Sequence, residues 1–200
     1  MKLHEIAHRQ LTYGDIAHIE DWLYEWKIKV GTYDIDPYTG VVNVNSDVNL
    51  NNMKNVQVLP VRFGKVTGRF DCALSSLTTL KGCPHTVGNV FTCAGTDITS
   101  LVGAPTYVGN SFYCHDTHIT SLAGVSKYFT KIGGEFYCSN IKLPDKLPTH
   151  VLGLILIPHL QIITLGSGID NIMNKHLGSG DILACQDELI DAGFVQQARL

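Results

Sequence analysis

The side chains best able to do chemistry in this 200-residue chain are its nine histidines and six cysteines. The densest cluster is His115-Asp116-Thr117-His118, two imidazoles and a carboxylate within four residues. Such a set can ligate a divalent metal, or pass protons between an acid and a base. On a single surface turn these groups are more often solvated than ligating, so the expectation here is a polar loop with neither metal nor catalysis. His4, His8 and His18 fall in an N-terminal helical pattern and read as surface or satisfied core histidines. No glycine-rich phosphate loop, no GxGxxG opening a helix and no GxSxG elbow occurs. The expectation is a non-enzymatic protein without a cofactor.

Four of the cysteines lead to the architecture. Cys72, Cys93, Cys114 and Cys138 each close one phrase, a Val or Ile, a Gly, then Phe-x-Cys. The phenylalanines are Phe70, Phe91, Phe112 and Phe136, spaced by 21, 21 and 24 residues. Between them runs a second phrase, seen as Leu77-Thr-Thr-Leu80-Lys-Gly82-Cys-Pro84, Ile98-Thr-Ser-Leu101-Val-Gly103-Ala-Pro105 and Ile119-Thr-Ser-Leu122-Ala-Gly124-Val-Ser126. A fixed period of this size marks a solenoid, in which each repeat buries its apolar face against its neighbours. Coiling stacks the four cysteines in a row about 4.8 Å apart. A straight row of parallel side chains is the wrong shape for tetrahedral zinc. It is also wider than the roughly 3.8 Å that disulfide Cβ atoms prefer. The thiols are therefore expected to be free and buried, with Cys83 and Cys185 also in the core.

The fold expected is mainly β, a right-handed parallel β-solenoid of about 21 residues per coil with leucine-rich-like repeats, capped by N- and C-terminal α-helices. Residues 1–40 form the N-terminal helical cap and first strand, 41–165 the repeat array, and 166–200 the C-terminal cap. Residues 1–26 read as helical, with Asp15 as N-cap and Ile19, Trp22, Leu23 and Trp26 on one stripe. Residues 28–36 read as a strand. Val42-x-Val44 is placed in the Phe-x-Cys slot of a degenerate first coil, 28 residues before Phe70. A weakened last coil spans 147–157, with Ile157 replacing the ladder cysteine. Helices follow over 169–177 and 181–192, the second with Asp181 as N-cap and Gly193 just past its end.

This frame also sorts outward positions. Phe and Cys two apart share the inward face of a strand, so Asp71, Thr92, Tyr113 and Tyr137 between them point outward on successive rungs. Two adjacent exposed tyrosines suit a protein interface, and equally suit stacking along the ladder. With the following loop (His115, Asp116, His118) they form the candidate partner-binding surface. Charged residues make up only 16% of the chain and the net charge is −3. There is no basic stripe of the kind nucleic acid requires. The most apolar run, Leu152 to Ile163, is too short to span a bilayer.

The Phe-x-Cys and Leu-x-Gly-Ala-Pro repeats resemble the leucine-rich-type repeat proteins of tailed bacteriophages. The likeness extends to Val41-Val-Asn-Val-Asn-Ser-Asp-Val-Asn-Leu50 and to Gly180-Asp-Ile-Leu-Ala-Cys-Gln-Asp-Glu-Leu-Ile-Asp-Ala-Gly193, and departs at Val125-Ser126, where Ala-Pro is expected. The resemblance implies a phage-encoded protein in the cytoplasm of an infected bacterium. It implies a module that engages a host protein, such as a defence protein, and inhibits or redirects it. The alternatives are a small-molecule-sequestering binder and a structural virion component.

Overall fold

The structure, a computed structural model, describes residues 10–29, 31–139, 147–166 and 168–200. Two six-stranded sheets wind through it. The first is ordered β1 (Tyr33–Ile35), β2 (Val41–Val44), β4 (Arg62–Val66), β6 (Thr86–Val87), β8 (Tyr107–Val108), β10 (Lys131–Ile132). The second is ordered β3 (Val48–Asn49), β5 (Phe70–Asp71), β7 (Phe91–Thr92), β9 (Phe112–Tyr113), β11 (Glu135–Tyr137), β12 (Ile162–Thr164). Every pairing is parallel except β1 with β2, so the chain forms the expected parallel β-solenoid with flanking helices.

The repeat frame accounts for the core. Phe70, Phe91, Phe112 and Phe136 are fully buried, and their rings stack at 5.8, 5.0 and 5.5 Å between centroids. Cys72, Cys93, Cys114 and Cys138 are buried free thiols on the next inward position. Leu77, Leu80, Ile98, Leu101, Ile119 and Leu122 fill the remaining side of the coil. Burial pushes the Cys93 and Cys114 thiols well up from their usual range, because a thiolate there would lose its water.

Glycine closes both corners of a coil for different reasons. Gly103 has φ +90, a left-handed conformation that a side chain resists. At the corner between the sheets the constraint is space. A Cβ on Gly109 would lie 2.0 Å from the carbonyl oxygen of Gly88 in the coil before, and one on Gly133 would lie 2.2 Å from that of Gly109. Successive backbones touch there, so nothing larger than hydrogen fits.

The end coils correct the expected frame. Val42 and Val44 are not in the Phe-x-Cys slot, because they pair with Phe63 and Val66 in the first sheet. Val48 pairs with Phe70 instead, and Leu50, whose N–H bonds to the Asp71 carbonyl, takes the cysteine position. The first coil is thus 22 residues (48 to 70), close to the regular repeat. At the other end Ile163 pairs with Phe136 and Leu165 fills the cysteine position, while Ile157 merely follows a 3-10 helix, Leu152–Leu156. Both misplacements come from alternating apolar pairs that fit either sheet. The longer third repeat holds a one-turn helix α2, Val125–Tyr128, which delivers Phe129 edge-on to Phe112 at 5.1 Å. Phe63 meets Phe70 in the same way at 5.3 Å.

The caps seal the ends of this column. Helix α1, Tyr13–Glu25, starts at Thr12, which caps the Asp15 N–H while Asp15 reaches back to the Thr12 N–H at 2.9 Å. Asp15 is therefore the third helical residue of a capping box, not the N-cap. Leu23 is buried, and Trp26 lies 6.1 Å from Phe63. The strand expected over 28–36 is confined to Tyr33–Ile35. His4 and His8 lie outside the described residues, and His18 is exposed on α1. At the C-terminal end α3, Ile169–His176, stops the second sheet with a side chain. The Asn174 amide accepts from the Ile163 N–H and donates to the Ile163 carbonyl, both at 2.7 Å, which occupies the free edge of β12. Helix α4, Ile182–Asp191, is N-capped by Asp181 and followed by Gly193 at φ +87. No helix among the described residues is long and apolar enough to cross a membrane.

Candidate functional site

The site is best built from the bend that follows each strand of the second sheet. There the chain leaves the sheet, and the N–H two residues beyond the outward residue needs an acceptor. Three coils supply it from the outward side chain. Asn49 Oδ1 accepts from the Asn51 N–H at 3.0 Å, Asp71 Oδ1 from Ala73 at 3.0 Å, and Thr92 Oγ1 from Ala94 at 3.4 Å. These are local side-chain turns of the kind Asn, Asp and Thr favour.

The expected column of Asp71, Thr92, Tyr113 and Tyr137 therefore divides in two. Register puts the four on successive rungs as predicted. Asp71 is committed to its turn and to Arg69, 2.8 Å away. Thr92 is buried, only 3% exposed, because a short side chain sits between longer neighbours on adjacent rungs. It offers no contact surface, which removes it from the candidate set. Tyr113 and Tyr137 hold the same position but cannot act as the acceptor, and both remain half-exposed. Their rings meet edge-to-face at 6.1 Å with planes 90° apart.

The His115 loop also divides. Its next residue, Asp116, has φ +54, and so do its equivalents: Asn52 at +61, Leu74 at +56 and Gly95 at +66. Asp116 is thus the left-handed residue of a turn shared by four successive coils. Thr117 is buried and donates to the Cys114 carbonyl at 2.8 Å, as Ser75 does to Cys72 and Thr96 to Cys93. His118 is exposed and lies 3.6 Å from Asp97 of the preceding coil. His115 turns the other way, stacking on Tyr137 at 4.5 Å with planes 26° apart, and meeting Tyr113 at 6.4 Å. Its Nδ1 is shielded from solvent with no hydrogen-bond partner among the described residues. Among the described residues no group of three or more His, Cys, Asp or Glu is arranged to hold a metal.

What the structure brings together is an aromatic triad, Tyr113, His115 and Tyr137, on the outside of the second sheet. Its backbone is pinned by the ladder, with the Cys114 N–H bonded to the Tyr137 carbonyl at 2.8 Å. Sequence reasoning placed the His115 loop beside the tyrosines but did not foresee His115 stacking on Tyr137. It also missed the turn caps, whose signal was the series Asn49, Asp71, Thr92 at one repeat position. Glu135 was missed as well. It lies two residues before Tyr137 on the same face, and accepts from the Thr164 hydroxyl at 2.5 Å.

The fold and this surface define a capped parallel β-solenoid with a half-buried aromatic patch on its second sheet. Comparison of the chain with protein-family models, with curated proteins and with solved structures finds no match.

Proposed function

We propose that this protein is a non-enzymatic protein-binding module whose partner docks on Tyr113, His115 and Tyr137. The observation that carries the reading is the broken turn rule. Three coils use the outward side chain to satisfy a backbone N–H, Asp170 takes that role after Thr164, and the two tyrosine coils forgo the side-chain bond, worth about 0.5–1.5 kcal/mol. Departures from a locally consistent pattern concentrate where function is placed. The exchange yields two phenol rings and an imidazole, held on a rigid backbone and half-exposed. Such groups dominate interface energetics, and a pre-ordered surface loses little entropy on binding. The resemblance to bacteriophage repeat proteins supports a host protein of the infected bacterium as the partner.

The test is a paired measurement on Tyr113→Ala/Tyr137→Ala. A partner is captured from bacterial lysate on the immobilised wild-type protein and purified, and its affinity for both forms is then measured beside their melting curves. The double variant should fold and bind at least about 30-fold more weakly, roughly 2 kcal/mol. A folded variant of unchanged affinity places the docking surface elsewhere.

A further inference from the structure

We infer that the group seated on the aromatic patch is a guanidinium, an arginine side chain of the partner. This deepens the protein-binding reading of the same surface and rests on it. The argument is charge complementarity. Glu135 points outward two positions from Tyr137, about 6.8 Å along the strand. Its carboxylate is oriented by the Thr164 hydroxyl, and Thr164 is the residue paired with Tyr137 on the next rung. Among the described residues Glu135 forms no ion pair. Arg69, at the equivalent position just before Phe70, is already paired with Asp71 at 2.8 Å. A half-exposed carboxylate thus stands two positions from a phenol ring, with no ion-pair partner among the described residues.

The first sheet shows the same chemistry completed within the chain. There Tyr107 pairs in register with Lys131, whose ammonium lies 5.3 Å from the ring centroid and donates to the phenol oxygen at 3.4 Å. Among the described residues this is the one cation seated over a ring. Tyr113 and Tyr137 have the rings and the neighbouring carboxylate without the cation. A guanidinium fits this gap better than an ammonium. It is planar, stacks on aromatic faces, and can still present N–H groups to a carboxylate at its edge. His115 already covers one face of Tyr137, so the guanidinium would stack on a ring face that His115 leaves open.

The test needs no partner. The intact protein, with ring-labelled tyrosine, is titrated with acetyl-Gly-Arg-Gly-amide and with the citrulline peptide, which has nearly the same shape and no charge. Arginine should move the Tyr113 and Tyr137 ring resonances, and citrulline should bind about tenfold more weakly. Glu135→Gln keeps an acceptor for Thr164 and should weaken the arginine peptide about tenfold while leaving the citrulline peptide unchanged. Equal affinity for the two peptides, shifts away from both tyrosines, or no effect of Glu135→Gln each overturns the inference. The peptide comparison on the wild-type protein does not depend on any variant folding. None of these results bears on the docking surface itself, which stands or falls on the alanine double variant.

Discussion

Tyr113→Asn restores at the fourth coil the residue type that caps the first. In the first coil Asn49 Oδ1 accepts from the N–H two residues on at 3.0 Å, and in the fourth that N–H belongs to His115. The bond regained is worth about 0.5–1.5 kcal/mol. The losses are the ring contacts with Tyr137 at 6.1 Å and His115 at 6.4 Å, each about 0.5–1.5 kcal/mol. Tyr113 is only partly exposed, so both truncations also forfeit apolar burial of the ring. The losses outweigh the bond regained, so Tyr113→Asn should melt below the wild type, yet above Tyr113→Ala. Tyr113→Ala suffers the same losses and gains no cap, so it should be about 1 kcal/mol less stable than Tyr113→Asn. Urea denaturation of the three proteins measures the difference, and partner affinity is read on the same samples. Both variants should bind at least about tenfold more weakly than wild type. An alanine variant as stable as the asparagine variant would refute the account of the turn. Wild-type affinity in Tyr113→Asn would refute the claim that the tyrosine is there for a partner.

Two further predictions concern the core and the C-terminal cap. Cys93→Ser should destabilise the protein by about 1–3 kcal/mol in denaturant titration, because the hydroxyl enters an apolar rung. Burial holds the Cys93 and Cys114 thiols up, and pushes that of Cys185 to about 11 with help from Glu188 and Asp181. Native protein should accordingly resist alkylation and react fully once denatured, and a disulfide or bound zinc at the ladder would contradict this. Glu188 accepts from Lys175 at 2.7 Å and from His176 at 2.9 Å, and these hydrogen bonds lower its carboxyl below the ordinary value. A depressed native pKa adds stability above the unfolded carboxylate range and loses it as the pH falls through the folded value. The melting temperature of wild type should therefore exceed that of Glu188→Gln near pH 7, with the gap closing as acid protonates the carboxylate. A gap that widens on acidification would reverse the assignment.

Repetition made the middle of the fold legible. Phe, Cys, Leu and Gly recur at one position per coil, and only stacked coils give a reason for that recurrence. The free thiols, the inward Phe ladder, the outward tyrosines and the Asp181 cap all follow from residue type and spacing. The ends were not legible in the same way. Val42-x-Val44 and Val48-x-Leu50 carry the same alternation, and a two-residue period is satisfied in either sheet. Pairing with Phe70 decides for Val48, and the antiparallel β1 takes up Val42. Ile157 and Ile163 present the same ambiguity, resolved by α3, whose Asn174 grips the edge at Ile163.

The candidate surface depended on three-dimensional structure still more. One amino-acid sequence lists Asp71, Thr92, Tyr113 and Tyr137 as equivalents, and by register they are. What each does depends on whether its side chain turns back to its own backbone or out to a neighbouring coil. Asp71 and Thr92 are short acceptors and bend to the N–H two residues on. The tyrosines cannot, so their rings project toward one another and gather His115 from the following turn. Residue type and period set the rungs. Contacts between residues some 20 positions apart, which exist only once the coils are stacked, selected the three side chains that form the patch.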